Sequence, residues 1–209
     1  MISALIIVIV LVFSAILHEI AHGFVAERLG DPTARLLGRL TLNPKNHIDP
    51  VMSIMLPLIL IFSGSPVIFG AAKPVPVDPF NLKDGRRDLA LVSLAGPLTN
   101  ILIAILASFI ARISFFFPQE IAIIVIPFLL IVVQINLLLA IFNLLPIPPL
   151  DGSKIFSLIL PEKEANAYLS LGSIGFMILF FLLVMPIGGF SLGSLIFNLL
   201  VFSEKLLGL

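Results

Sequence analysis

The chain has no cysteine, no tryptophan and a single tyrosine, Tyr168, and only 11% of its 209 residues are charged. Without cysteine there are no disulfides and no thiolate metal ligands, and nothing marks a redox compartment. Twelve basic and twelve acidic residues cancel, so there is no electrostatic case for binding nucleic acid. The missing tryptophans leave an interfacial aromatic belt thin, with phenylalanine (18 residues) in their place. No Lys or Arg precedes Arg28. The opening apolar run therefore lacks the basic start and small-residue cleavage site of a secretory signal. What is abundant is apolar: 59% of residues, with a mean hydropathy of +1.20. A soluble domain is about 45–50% apolar and about 25% charged. No soluble domain fits between the apolar stretches. Residues 1–209 are expected to form one membrane-embedded domain, with a core over about 1–160 and C-terminal helices over 166–207.

Apolar stretches cover about 2–27, 51–70, 89–111, 121–147, 166–186 and 190–207. A spanning helix needs ~20 such residues. The expected fold is an all-α polytopic membrane protein with about five to six transmembrane or re-entrant helices. Pro57 and Gly64-Ser65-Pro66 interrupt the second stretch. The segments on either side of it, 28–50 and 71–88, are both basic, which places both on the cytoplasmic side. That holds only if 51–70 dips into the membrane and returns, so it is expected to be re-entrant.

Within the first apolar run stands His18-Glu19-Ile20-Ala21-His22. On a helix the two histidines, four residues apart, project from one face. They are then spaced to share one zinc, with Glu19 leaning toward the water to be activated. Ionisable groups at membrane depth are expensive and mark a functional site by default. For a third ligand, His47 reads as a solvated loop histidine. Asp31, Asp49, Asp78, Asp84 and Asp88 read as surface groups among loop charges.

Asp151 differs, because it follows Asn143-Leu144-Leu145-Pro146-Ile147-Pro148-Pro149-Leu150 and precedes Gly152. The prolines force the chain out of helix where the apolar stretch ends, and a carboxylate on such a break can turn inward. The plain alternative is a helix stop, with Asp151 as N-cap of a helix near 153–160. Beside a buried H-E-x-x-H the ligand reading prevails. Both ends then meet at one metal only if they face the same side, which again favours a re-entrant 51–70.

Taken together, H-E-I-A-H and N-L-L-P-I-P-P-L-D-G resemble the site-2 protease family of intramembrane zinc metalloproteases. Gly70-Ala71-Ala72-Lys73-Pro74-Val75-Pro76-Val77, Ala95-Gly96-Pro97-Leu98-Thr99-Asn100 and the 30–50 loop resemble its compact prokaryotic members, and the likeness covers about residues 10 to 160. The resemblance implies one Zn2+ per chain held by His18, His22 and Asp151, Glu19 as catalytic acid and base, and Asn143 close to the metal. It implies a multi-pass protein of a prokaryotic inner or plasma membrane, with the lipid bilayer and a membrane-spanning protein substrate as partners. The PDZ and CBS modules of larger members are not expected, and the oligomeric state stays open.

Asn143 either donates to the developing oxyanion and substrate backbone or satisfies unwound carbonyls near Pro146. Asn100 either faces the substrate and metal surroundings or makes an interhelical hydrogen bond. Lys73-Pro74-Val75-Pro76-Val77 alternates prolines that forbid helix, and reads either as a short membrane-associated β segment near 71–77 that docks an unwound substrate, or as a rigid linker. Phe115-Phe116-Phe117-Pro118 reads as an interfacial turn. A metal transporter would be expected to repeat its His/Asp site in a second half, and no second cluster exists. A non-catalytic scaffold would be expected to carry a damaged motif, and this one is intact.

Overall fold

The computed structural model describes residues 2–50, 55, 59, 62, 73–185, 188 and 191–209. Nearly all of 51–70 thus lies outside the described residues, and with it the re-entrant reading.

Helix α1 runs Ile2–Leu29. Inside hydrocarbon each backbone N–H must find its partner within the segment, and a helix achieves that. Gly30, in the left-handed region at φ 117°, ends α1, and Asp31 N–H turns back to Ala26 C=O at 2.9 Å. A single turn, α2 (Thr33–Leu36), follows. Helix α3 spans Gly85–Ile113. It starts four residues before the apolar stretch because Asp88 accepts the N–H of Asp84 at 2.8 Å, closing the first turn with a side-chain-to-backbone bond that hydropathy does not register. Pro97 therefore lies three turns inside α3.

A tight turn over Ser114–Phe116 leads to α4, Gln119–Asn143, as the aromatic cluster suggested. Helix α4 stops at Asn143, short of the apolar stretch's end, because Pro146, Pro148 and Pro149 deny it donors. Then come α5 (Asp151–Phe156), α6 (Glu162–Ser170), α7 (Gly172–Val184) and α8 (Leu192–Leu206).

Helix α3 packs between α1 and α4. Ala104 and Ala107 on α3 meet Val133 and Leu137 on α4, small residues bringing the two helices close. A second cluster of Leu145, Leu150, Leu179, Leu192 and Ile196 underpins the 144–150 loop. The outward faces are apolar: Leu5, Phe109, Ile123 and Ile124 are all at least 61% exposed. Such a surface has its solvent in lipid, and this is a membrane protein.

Among the described residues, three helices are long and apolar enough to cross a bilayer, within Leu5–Leu29, Gly85–Phe116 and Gln119–Asn143. The stretch at 166–186 is not one straight span. Helices α6 and α7 meet at a 73° bend beside Gly172, and would add a fourth crossing only as a broken pair. The charges Glu162, Lys163 and Glu164 give the reason, since they make α6 polar while α7 carries no charge. Helix α8 is only 15 residues, about 22 Å long. Its start packs at Leu145 and Leu150, and its end meets Ser108 and Arg112 near the far end of α3.

The β segment expected near 71–77 is not found among the described residues, which contain no strand. Residues 73–78 are irregular. Pro74 and Pro76 lack donors, and the neighbouring backbone groups bond to side chains and loop instead of to another strand.

Candidate metal centre

On α1, Ser14, His18 and His22 recur every four residues, so they share one face, and all three are buried. His18 and His22 lie roughly 16 and 10 Å along the axis from the end of α1. Asp151 comes from the opposite direction. The 144–150 loop brings the chain back at Leu150, which is the N-cap of α5 in place of Asp151. The Asp151 side chain makes no capping bond. Its carboxylate turns to the histidines, and Lys154 Nζ stands 3.2 Å from Oδ1.

The three groups converge. His18 Nε2 and His22 Nε2 are 3.0 Å apart, and each lies 3.2 Å from Asp151 Oδ2. The hydrogen bonds behind the rings fix what those atoms are. His18 Nδ1 lies 2.6 Å from Asn100 Oδ1, while the Asn100 amide donates to Asn136 Oδ1 at 2.8 Å. His18 Nδ1 is thus the protonated nitrogen. His22 Nδ1 donates to Val92 C=O at 2.7 Å. With both rings neutral, each Nε2 presents a lone pair to the other and to a carboxylate oxygen. Three buried acceptors with no donor between them repel one another unless a cation joins them. Tetrahedral zinc with bonds of about 2.0–2.1 Å sets its ligands about 3.3 Å apart, which fits this triangle. Other clusters of three or more His, Asp or Glu groups of this kind are absent among the described residues.

The triangle is braced from behind. Asn136, fully buried on α4, donates to Ser14 Oγ at 2.9 Å and to Val132 C=O at 2.8 Å. A continuous chain thus runs His18, Asn100, Asn136, Ser14 across α3, α4 and α1. Outer partners of this kind orient a ligating imidazole and fix its tautomer. Neither Ser14 nor Asn136 was legible as a site residue. The available signal was a serine one turn before His18 and an asparagine inside an apolar run. Gly96 completes the wall: a Cβ built on it would stand 2.6 Å from His18 Cε1 and Nε2 and from His22 Cε1. Only glycine lets α3 approach both rings.

Glu19 is half-buried, and its Oε2 accepts the N–H of Val75 at 2.7 Å. Asn143, also half-buried, gives one amide hydrogen to Leu139 C=O at 3.0 Å, one turn back in α4, and makes no bond to the triangle. The segment that carries Val75 is tied at both ends. Lys73 N–H donates to His47 C=O at 2.8 Å, and Asp78 N–H to Asp31 Oδ2 at 2.7 Å.

Three groups read as solvent-facing are in fact interior. Asp31 is fully buried: its other oxygen accepts from Asn81, Thr33 N–H and the Thr33 hydroxyl, joining the end of α1 to the 78–81 turn. Burial pushes its carboxyl up, but the bonds from Thr33, Asn81 and Asp78 outweigh that and hold it below the ordinary carboxylate value. His47 is buried because its Nε2 bonds Thr41 C=O within its own folded loop, and Asp88 because it closes the first turn of α3. Loop residues next to charges read as surface in a sequence, and the loop's fold upon itself reverses that.

Buried His, His and Asp with an adjacent glutamate, set among membrane helices, define a metallopeptidase-type centre. The chain matches the model of peptidase family M50 over residues 6–119 and 112–186. It is 37% identical over 189 residues to "Putative zinc metalloprotease YwhC" of Bacillus subtilis, covering 88% of this chain and 83% of that protein. It is 37% identical over 139 residues to "Putative zinc metalloprotease Rip2" of Mycobacterium tuberculosis, covering 66% of this chain and 51% of that one. The Mycolicibacterium smegmatis Rip2 is 33% identical over 177 residues, covering 83% and 64%. This chain thus spans about half to two thirds of the Rip2 proteins' length. No solved structure matches. The chain belongs to peptidase family M50, the site-2 protease family, and is a zinc metalloprotease.

Proposed function

We propose that this protein is an intramembrane endopeptidase. It hydrolyses peptide bonds in or near the transmembrane segments of other membrane proteins, close to the cytoplasmic face of a prokaryotic cell membrane that it crosses several times. The observation that carries the reading is the buried His18–His22–Asp151 triangle, two of whose corners lie on one face of a spanning helix with Glu19 beside them. The cytoplasmic assignment is supported by Arg28, Arg35, Arg39 and Lys45, and by Lys83, Arg86 and Arg87, which gather where α1 ends and α3 begins.

His18, His22 and Asp151 would hold one Zn2+. When bound, the ion lowers the pKa of water and polarises the scissile carbonyl. Glu19 takes the proton of the attacking water and later delivers it to the leaving amine. Asn100 holds His18 in the tautomer that frees Nε2. Asn143 keeps a second amide hydrogen for the developing oxyanion or the substrate backbone. A substrate helix hides its peptide groups in i to i−4 bonds and must unwind to be cut. Along Lys73, Pro74, Val75, Pro76 and Val77, the Val75 and Pro76 carbonyls and the Val77 N–H have no partner among the described residues. These remain to pair with an unwound substrate.

The test is cleavage of a tagged model transmembrane substrate in membranes by wild type and Glu19→Gln, with zinc measured in both. Cleavage by wild type alone, with zinc in both, is expected. A wild type that holds no zinc, or a Glu19→Gln protein that still cleaves, would overturn the reading.

A further inference from the structure

Arg39 is an anomaly. It is buried, 7% exposed, and carries its charge with no carboxylate against it among the described residues. Its Nη2 donates to two backbone carbonyls, Lys73 at 2.7 Å and Pro74 at 3.2 Å, and its Nε finds no acceptor. A guanidinium kept inside at that cost is performing a task. The carbonyls it holds belong to the residues just before Val75, whose N–H meets Glu19. Pro74 and Pro76 lack N–H groups, so Val75 supplies the one donor in that tripeptide. Their rings also fix φ on either side of it. The far end is pinned at Asp31 by Asp78.

We propose that Arg39 is a positioning residue for Glu19, acting through the rigid Lys73–Val75 backbone. The proposal rests on the reading of Glu19 as general acid and base. Glu19 sits at a half-buried site on a helix face and has several rotamers open to it. Val75 N–H fixes Oε2 and so sets the plane of the carboxylate. It leaves Oε1 without a protein partner among the described residues, available for the proton in flight. Arg39 keeps Val75 N–H in place through the Lys73 and Pro74 carbonyls, with no hydrogen bond of its own to Glu19, His18, His22 or Asp151. The 73–75 half of the segment therefore belongs to the catalytic frame, and the carbonyls from Val75 onward are what it offers a substrate.

Two measurements test this. Amide hydrogen exchange in detergent reads the coupling without any substrate. Residues 73–77 contain only three amides (Lys73, Val75 and Val77), so protection there is readily assigned. Faster exchange at Val75 is expected in both Glu19→Ala and Arg39→Gln, and unchanged exchange in Arg39→Gln would refute the proposal. The second measurement uses the cleavage assay, with zinc content and thermal unfolding confirming a folded, loaded protein. Arg39→Gln should lose kcat about tenfold or more at unchanged KM, with partial recovery in Arg39→Lys. Val75→Pro removes the donor and leaves Arg39 in place, and should lose kcat to a similar degree. A raised KM at unchanged kcat in Arg39→Gln, or full kcat in Val75→Pro, would overturn it. Failure of wild type to cleave while Glu19→Gln also fails would count against the protease reading alone, and the exchange result would still decide the role of Arg39.

Discussion

Replacing Gly96 by alanine adds one carbon to α3, and that carbon falls against both histidines at once. In a spanning helix the change is ordinarily mild and even stabilising, by roughly 0.5–1 kcal/mol, because glycine weakens helix. Here the new Cβ would lie 2.6 Å from three ring atoms, whereas ordinary contact begins near 3.4 Å, so something must move by the difference, 0.8 Å. Backbone cannot give way cheaply between two packed neighbours, and the rings are themselves held, His18 by Asn100 and His22 by Val92 C=O. A zinc site tolerates ligand displacements of about 0.2 Å. The variant should therefore lose zinc affinity by about 100-fold, or about 2.7 kcal/mol, while α3 remains helical. Chelator competition in detergent measures the affinity, and circular dichroism checks the helix. Zinc affinity indistinguishable from wild type would refute the close packing of Gly96 on the histidines, and with it the geometry of the whole triangle.

Two further outcomes follow from the same contacts. Asn136→Leu leaves the Asn100 amide and Ser14 hydroxyl unpaired in the core. It should lower zinc affinity about tenfold and unfolding stability by about 1–3 kcal/mol, readable by chelator titration and thermal melts. Asp31 has a depressed carboxyl, so the stability it contributes is present above the ordinary carboxylate value and is lost as pH falls through the lower folded one. Wild-type melting temperature should drop on acidification below about pH 4, whereas Asp31→Asn should start lower at neutral pH and show less of that acid-dependent fall.

The metal centre was largely legible because its parts are sequence-local. Four residues on a helix fix the relation of His18 to His22, and a run of prolines isolates Asp151 as a carboxylate that cannot simply continue a helix. The bracing behind them was not legible. Asn136 and Ser14 are 122 positions apart, and only the packing of α4 on α1 makes them partners. The start of α3 at Gly85 was missed for a different reason. Hydropathy counts Asp84 and Asp88 as water-loving, yet their mutual bond closes a helical turn. Asp31, His47 and Arg39 show the same limit in the loops, where a folded backbone supplies partners that no local pattern announces. Similarly, the alternating prolines of 73–77 suggested a strand, but two of its three N–H donors, those of Lys73 and Val75, are committed to the His47 carbonyl and Glu19.

The line of hydrogen bonds from His18 to Ser14 also bears on the order of events during biogenesis. In hydrocarbon, an asparagine on a lone helix has no water to satisfy it, so the three apolar helices are drawn together by the need of Asn100 and Asn136 for each other and for Ser14. That bonding is complete within the polypeptide. The newly inserted helices can therefore lock into register before any ion arrives, and the ion then draws the mutually repelling His18, His22 and Asp151 acceptors together on a braced frame. A small zinc domain in water depends on its metal to fold. Here the bilayer does that work, and loading with metal becomes a late and separable step.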